Sequence, residues 1–140
     1  MKTAIAYTDG SYNESTNTYG AGLVYFCNGE KFTTKFSGDE PELSKSRQYA
    51  GEVLAAMYAT KKAEKEGVTE LTIYHDLEHI RKFPLYEWKP DKQISKDYTV
   101  FMRTAMKHMK IKFVKVKAHS GNKYNEEADL LAKEACGIEC

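Results

Sequence analysis

The sequence is poor in cysteine, and its three cysteines form no recognisable pattern. Cys27, Cys136 and Cys140 show no Cys-x-x-Cys spacing. An odd number of cysteines without that spacing argues against a disulfide framework and against a zinc site built from thiolates. Cys140 is terminal, so we expect it to be exposed and open to a chance intermolecular disulfide in vitro.

Long apolar runs are also lacking. No stretch approaches the length that crosses a membrane, and the N-terminal residues turn polar too early for a secretory signal. We therefore expect a cytoplasmic protein that does not associate with membranes. The chain has 140 residues, 41% of them hydrophobic and 29% charged. This size and composition fit one globular domain over residues 1–140, without repeats or an interdomain linker.

No charge sign dominates, because 21 Lys and Arg oppose 20 Asp and Glu for a net charge of +1. This balance excludes a protein that holds nucleic acid by bulk charge, so such contacts must come from a local patch. Lysines alternate with apolar residues over 110–117. They form either a nucleic-acid patch or a sheet edge guarded against aggregation, and we favour the edge.

Hydrophobic periodicity predicts five strands and four helices. The predicted strands span residues 3–7, 18–28, 30–38, 70–76 and 110–119, and the predicted helices span 42–67, 77–83, 94–109 and residue 124 onward. Asn28-Gly29 predicts a two-residue hairpin turn with positive φ at both positions, and Gly67 fits a helix stop. A hairpin followed by βαβ units implies an α/β fold with a mixed sheet covered by helices.

Acidic residues stand where such a sheet places ligands. Asp9 closes the first predicted strand and Asp76 closes the fourth, and these two strands are expected to run parallel as neighbours. Glu52 lies among small and apolar residues on a helix face that should lean on the sheet, so its carboxylate needs a partner. Asp129, in the first turn of the last helix, is a candidate fourth member.

Four clustered carboxylates repel one another unless a cation lies between them. Oxygen ligands without Cys or paired His are typical of a site for Mg²⁺ or Mn²⁺. Four acids are more than one Mg²⁺ usually takes from protein, and they suit two ions about 3.5–4 Å apart beside a phosphodiester.

Each acid also has a simpler interpretation. Asp9 with Gly10 can form an ordinary turn, and Asp76 can cap helix 77–83. Glu52 can be a partly exposed helix residue paired with Lys61 or Lys62. The case for a metal site rests on the four acids occurring together.

The segment KAHSGNKYNEEADLLAKEA, residues 117–135, contains the same kind of ambiguity. Glu126 and Glu127 are ordinary acids for a first helical turn, where the helix dipole favours negative charge. His119 precedes a Ser-Gly-Asn turn and can be a loop residue without a function.

Nearly the whole chain resembles type 1 ribonuclease H. The resemblance runs through YTDGSYN (7–13), YGAGLVYF (19–26), RQYAGEVLAAMYA (47–59), LTIYHD (71–76) and KAHSGNKYNEEADLLAKEA (117–135). It implies a ribonuclease H-like fold with a five-stranded mixed sheet in the order 3-2-1-4-5, flanked by helices. The helix motif and the YEWKP segment look most like bacterial members that elsewhere carry an N-terminal hybrid-binding module, which we expect to be absent here.

The resemblance assigns roles to individual residues. Asp9, Glu52, Asp76 and Asp129 match the four acids of the family's metal site. His119 matches the mobile histidine that assists proton transfer and product release. Asn125 matches a polar position that supports the start of the last helix.

Contacts with the substrate follow from the same resemblance. Gln48 stands where the family often has Asn and would reach minor-groove base edges and 2′-hydroxyls. Arg47 stands where many members have Thr in a phosphate pocket, and an arginine binds phosphate with different geometry. The other implied substrate contacts are Gly10, Ser11, Tyr12, Asn13, Trp88 and Lys89. The long basic protrusion of some members is missing, which predicts weaker hybrid affinity.

The resemblance implies an endoribonuclease that cuts the RNA strand of RNA–DNA hybrids. The predicted mechanism uses two Mg²⁺ ions, for which Mn²⁺ can substitute, and leaves 5′-phosphate and 3′-hydroxyl ends. A monomer is the default expectation. Two alternatives stay open: a DNA-cutting, integrase-like enzyme of the same superfamily, and a non-catalytic nucleic-acid-binding module on a decayed nuclease fold.

Overall fold

The computed structural model describes residues 1–117 and 122–138. Its strands are β1 (Thr3–Asn13), β2 (Thr18–Cys27), β3 (Glu30–Gly38), β4 (Glu70–His75) and β5 (Lys110–Lys115). Its helices are α1 (Pro41–Ser44), α2 (Gln48–Lys65), α3 (His79–Lys82), α4 (Gln93–Ala105) and α5 (Lys123–Ala135).

The strands form one mixed sheet in the order β3-β2-β1-β4-β5, which confirms the predicted order. β1, β2 and β3 pair antiparallel, whereas β4 pairs parallel with both β1 and β5. The β2–β3 turn has φ values of 54° at Asn28 and 77° at Gly29, as the Asn-Gly signal predicts. The lysine-rich strand β5 lies at a sheet edge, as expected.

Alternation along the strands separates two unequal faces. Ala4 and Ala6 of β1, with Leu71 and Ile73 of β4, point into a core that α2 and α4 close from one side. Among the described helices, α5 covers the opposite face, where it packs on β1, β2 and β3. Tyr98 of α4 is fully buried and donates a hydrogen bond to the Ile80 carbonyl at 2.6 Å, which ties α4 to α3.

Several element boundaries differ from the predictions. α3 is shorter than the predicted helix 77–83, α4 ends at Ala105 rather than at residue 109, and β5 ends at Lys115 although a strand over 110–119 was predicted. Two further differences bear on the site. β1 continues to Asn13 rather than ending near residue 7, because β2 pairs along its whole length. Parallel pairing with β4 stops at Tyr7–Tyr74, so Asp9 lies just beyond it, inside a strand. The predicted helix 42–67 is divided into α1 and α2, because Arg47 adopts a positive φ of 54°.

Cys27 and Cys136 are free thiols, and Cys140 lies outside the described residues. Among the helices that the structure describes, none is both long and apolar enough to cross a membrane.

Candidate active site

Three acids from separate elements meet at one end of the sheet. Asp9 comes from β1, Glu52 from α2 and Asp76 from the residue after β4, and each offers a carboxylate oxygen within 4.8 Å of the others. Asp9 is only 5% exposed and Glu52 is fully buried. The structure therefore brings Asp9 and Asp76 together as the strand-end argument predicts, with Glu52 beside them, although β1 is longer than predicted.

Backbone donors hold these carboxylates in place. Glu52 accepts hydrogen bonds from the backbone N–H groups of Asp76 at 3.1 Å and Leu77 at 3.2 Å. Asp9 accepts one from the Gly10 N–H at 2.8 Å. Glu52 is thus bound to the segment after β4, and the interpretation of an exposed glutamate paired with a lysine is wrong. Asp76 is not a helix cap either, because the N-cap of α3 is Glu78.

A glycine allows α2 to reach the sheet at this point. A Cβ at Gly10 would lie 2.0 Å from the Gln48 carbonyl oxygen and 2.4 Å from the Glu52 nitrogen. No side chain fits at those distances, so only glycine permits this approach. The contact places Glu52 beside Asp9.

Helix α5 approaches from the opposite face in the same way. A Cβ at Gly22, which pairs with Asp9, would lie 2.1 Å from the Ala128 carbonyl oxygen. Asp129 follows Ala128 and faces the same cavity as Asp9 and Asp76. Its carboxylate interacts with that of Asp9 and forms an ion pair with Lys133 at 3.0 Å.

The clustered charges perturb one another. Burial and the neighbouring Asp76 raise the pKa of Asp9 to about 9, with a further contribution from Asp129. Burial raises the pKa of Glu52 well above its ordinary value, and Asp76 and Asp9 add to the effect. These carboxylates therefore resist ionisation together in the metal-free protein. A divalent cation would remove that penalty, and the oxygen-only ligand set fits Mg²⁺ or Mn²⁺.

The acids open into a cavity of about 350 Å³, which we call the carboxylate cleft. Its lining consists of Asp9, Gly10, Ser11, Tyr12, Glu14, Arg47, Gln48, Asp76 and Asp129. Five of the predicted substrate contacts therefore border the cleft. Glu52 is buried behind the lining.

Arg47 lies at the rim of the cleft, where its side chain already has protein partners. Its guanidinium forms an ion pair with Glu14 and lies 5.3 Å from the centre of the Tyr12 ring. A phosphate would have to replace Glu14 as its partner. Sequence reasoning missed Glu14, because an acid in a turn carries no signal of its own.

Three predicted contacts lie away from the cleft lining. The Asn13 side chain donates to the Cys136 carbonyl at 2.9 Å and so fastens the end of α5. Trp88 packs edge-on against His79 with ring centres 5.0 Å apart, and the exposed Lys89 follows it. Their roles in binding substrate stay predictions.

His119 lies outside the described residues, so its predicted role stays a prediction. The beginning of α5 is described: the Asn122 side chain caps it by accepting from the N–H groups of Tyr124 and Asn125. Asn125 is 2% exposed, and its Oδ1 has no partner among residues 1–117 and 122–138. Lys133 was also missed, although its spacing of four residues from Asp129 is that of a helical ion pair.

Comparisons with known proteins agree with this arrangement. The RNase H family model matches residues 1–137. A ribonuclease H from Ehrlichia ruminantium is 32% identical, with 95% of this chain and 94% of that protein covered. One from Anaplasma marginale is also 32% identical, over 91% and 86%.

Solved structures share the fold at lower identity. The N-terminal RNase H domain of a Mycobacterium tuberculosis protein superposes with a TM-score of 0.80 at 17% identity, covering 97% of this chain and 94% of that one. LC11-RNase H1, solved in complex with an RNA/DNA hybrid, gives 0.75 at 19% identity, with 95% and 96% covered. With its family match, its curated relatives and its sheet order, this chain belongs to the ribonuclease H family of enzymes.

Proposed function

We propose that this protein hydrolyses the RNA strand of RNA–DNA hybrids in the carboxylate cleft with the help of two divalent metal ions. The observation that carries the proposal is the meeting of three carboxylates within 4.8 Å in a member of this family. The RNA/DNA hybrid bound to the structural neighbour LC11-RNase H1 supports the choice of substrate.

Four acids would hold the metal ions. Asp9 interacts with each of the other three acids and would be the central ligand, with Asp76 and Asp129 at the cleft surface and Glu52 behind them. Mg²⁺, or Mn²⁺ in its place, supplies an activated water and neutralises charge at the leaving 3′ oxygen when bound. That chemistry leaves 5′-phosphate and 3′-hydroxyl ends.

The cleft residues would select RNA in the cut strand. Gly10, Ser11 and Gln48 line the space beside the acids, where backbone groups of the first two and the side chain of Gln48 would contact 2′-hydroxyl groups. Tyr12 and Arg47 border the same space, where a phosphate can replace Glu14 as the partner of Arg47.

The remaining assignments complete the proposal. Three residues would contact the hybrid outside the cleft: Asn13, Trp88 and Lys89. Trp88 and Lys89 would bind its DNA strand. His119 would move a proton and assist product release. The chain would act as one catalytic domain and as a monomer.

Cleavage of a hybrid with each strand labelled separately tests the proposal. Purified protein with Mg²⁺ or Mn²⁺ should cut only the RNA strand and leave ends that a ligase requiring 5′-phosphate accepts. Asp9→Asn should abolish cutting, whereas Asp91→Asn, which changes an exposed acid away from the cleft, should leave it unchanged.

Two outcomes would contradict the proposal. Metal-dependent cutting of duplex DNA in preference to the hybrid would indicate an integrase-like enzyme. Hybrid binding without cleavage under either metal would indicate a binding module.

A further inference from the structure

The face of the sheet opposite α2 is only partly covered. Helix α5 packs on β1, β2 and β3, while β4 and β5 have no comparable cover among the described residues. Ile5 on β1 and Val114 on β5 are each 38% exposed on this side. We call the uncovered area the open sheet face; its members are Thr3, Ile5, Tyr7, Phe26, Lys31, Glu70, Thr72, Tyr74, Lys110, Lys112 and Val114, with Tyr124 at its border.

Aromatic rings form a connected group at the centre of this face. Tyr7 and Tyr74 occupy paired positions on β1 and β4, and their rings stack at 4.7 Å with an interplanar angle of 11°. Tyr124 from α5 lies 5.3 Å from Tyr7 and 4.7 Å from Phe26. All four residues are partly exposed. The group thus gives the open sheet face an accessible aromatic surface.

The hydroxyl groups distinguish these tyrosines from those of the core. On the other side of the sheet, each buried tyrosine hydroxyl has a protein partner: Tyr19 with Glu40, Tyr25 with Glu66, Tyr49 with Ser95 and Tyr98 with the Ile80 carbonyl.

Within residues 1–117 and 122–138, no side-chain hydrogen bond involves the hydroxyls of Tyr7, Tyr74 or Tyr124. The hydroxyls of Thr3 and Thr72 on the same face are also without one. Five hydroxyl groups are therefore available to a ligand.

Lysines outnumber acids around the aromatic group. The charged residues of this surface are Lys31, Lys110, Lys112 and Lys123 against Glu70 and Glu127. Lys110 and Lys112 share Glu70, at 3.9 Å and 3.4 Å. Lys31 and Lys123 each lie 5.5 Å from the centre of the Tyr124 ring. Lys31 pairs with Glu127 at 2.9 Å. The four lysines therefore exceed the two acids by two positive charges, and they come from both edges of the sheet and from α5.

We propose that the open sheet face binds single-stranded RNA. Aromatic side chains on a sheet stack on bases, and flanking lysines hold the phosphates. The unpartnered hydroxyls suit the 2′-hydroxyl, which donates and accepts hydrogen bonds and is absent from DNA. Strands lie about 4.8 Å apart, so the path from β3 to β5 spans about 19 Å, enough for a short segment of single strand.

This surface is separate from the carboxylate cleft but adjoins it. Tyr7 and Tyr74 each stand two residues before an acid of the cleft, Asp9 and Asp76 respectively. A strand held here would lie beside the acids without needing a metal ion. The inference does not rest on the proposed function, because binding can be measured with the metal removed.

Fluorescence anisotropy of labelled oligouridylate in EDTA tests the proposal, with oligodeoxythymidylate as the competing ligand. We expect Tyr74→Leu to weaken RNA binding about tenfold through lost stacking. Lys112→Ala should weaken RNA binding about threefold. It should also make the slope of log K against log salt concentration about 0.7 less steep, which is the contribution of one phosphate contact. The matched controls are Tyr58→Leu, a tyrosine 41% exposed on the α2 side, and Lys107→Ala, an exposed lysine beyond α4.

Three results would overturn the proposal: no saturable binding, equal losses in the control variants, or equal affinity for oligodeoxythymidylate. A concentration-dependent dimer that Tyr74→Leu abolishes would also overturn it, since the face would then be a contact between two copies. Lys112 lies on an exposed edge strand, so its variant remains informative if Tyr74→Leu fails to fold. Lys112→Ala should cleave hybrid at the wild-type rate; a loss there would assign the lysine to the cleft's substrate instead.

Discussion

Replacing Asp9 by asparagine should abolish metal-dependent activity and yet stabilise the metal-free protein. The carboxylate is 5% exposed and lies beside Asp76 and Glu52 without a cation between them. Asparagine has nearly the same shape, and its oxygen can still accept the hydrogen bond from the Gly10 N–H. The substitution therefore removes a buried charge while keeping the local geometry.

The magnitude follows from the pKa of Asp9, which rises from an ordinary 3.8 to about 9 in the folded protein. The unfolded chain loses this proton at lower pH than the folded protein does, so the free energy of unfolding falls as pH rises between the two values. At about 1.4 kcal/mol per pH unit, about 4 kcal/mol is lost by pH 7. Because the neighbouring acids share the proton and an amide must also be desolvated, we expect Asp9→Asn to recover about 1–3 kcal/mol.

Urea unfolding in EDTA across the interval from about pH 4 to pH 9 measures this effect. The advantage of the variant should shrink as pH falls toward the ordinary pKa of aspartate. Asp91→Asn, at an exposed position, should stay within about 0.5 kcal/mol of wild type. When Mg²⁺ is present at a hundred times its dissociation constant, the free energy of unfolding should rise by about 2.7 kcal/mol for the wild type and not for the variant. Destabilisation by Asp9→Asn at pH 7 in EDTA, or a difference independent of pH, would refute the reasoning.

Three further changes probe the supports of the site. Gly10→Ala puts a Cβ 2.0 Å from a backbone oxygen of α2, so we expect it to lower the free energy of unfolding by about 1–3 kcal/mol and to abolish hybrid cleavage. The control Gly29→Ala, at a positive φ with free space around it, should lower the free energy of unfolding by about 1 kcal/mol and retain cleavage. Lys133→Ala removes a cation 3.0 Å from Asp129 and should tighten Mg²⁺ binding a few-fold in calorimetry, while Lys35→Ala should not. Burial and Lys92 lower the pKa of His79 below its ordinary value of 6.5. As pH falls below 6.5, the unfolded chain binds this proton more readily than the folded protein, so the free energy of unfolding should fall. His79→Phe should reduce this pH dependence in urea unfolding, and an unchanged dependence would contradict the assignment.

The sheet was predictable because its local signals agree with one another. Alternation set the strands, Asn28-Gly29 set the hairpin, and the strand order followed from the family resemblance. The break before α2 was not predictable. Arg47 takes a positive φ of 54° without being glycine or asparagine, and nothing in the local sequence indicates such a conformation. Its ion pair with Glu14, distant in sequence, is a contact that only the tertiary structure creates.

The acids of the site were easier to find than their partners. A glutamate among alanines and glycine indicates burial, and Glu52 is fully buried. Glu52 accepts hydrogen bonds from the Thr8 hydroxyl and from the backbone N–H groups of Asp76 and Leu77. The two backbone contacts depend on where β4 ends against α2. Nearly every residue has a backbone N–H group, so the residue types in the sequence do not indicate which of these groups will bind Glu52. Asp129 was placed in the cleft by motif, but its pairing with Lys133 was not foreseen.

The use of backbone donors has a consequence for how the site can function. A lysine or arginine among Asp9, Glu52 and Asp76 would neutralise the charges and stabilise the fold, but it would also occupy the position proposed for a metal ion. N–H groups from Gly10, Asp76 and Leu77 orient the carboxylates without neutralising them. The rigid packing of α2 at Gly10 and of α5 at Gly22 then prevents the acids from moving apart to relieve their repulsion. The cluster is therefore a strained arrangement that the surrounding fold sustains, and binding of divalent cations should stabilise the whole domain as well as complete the active site.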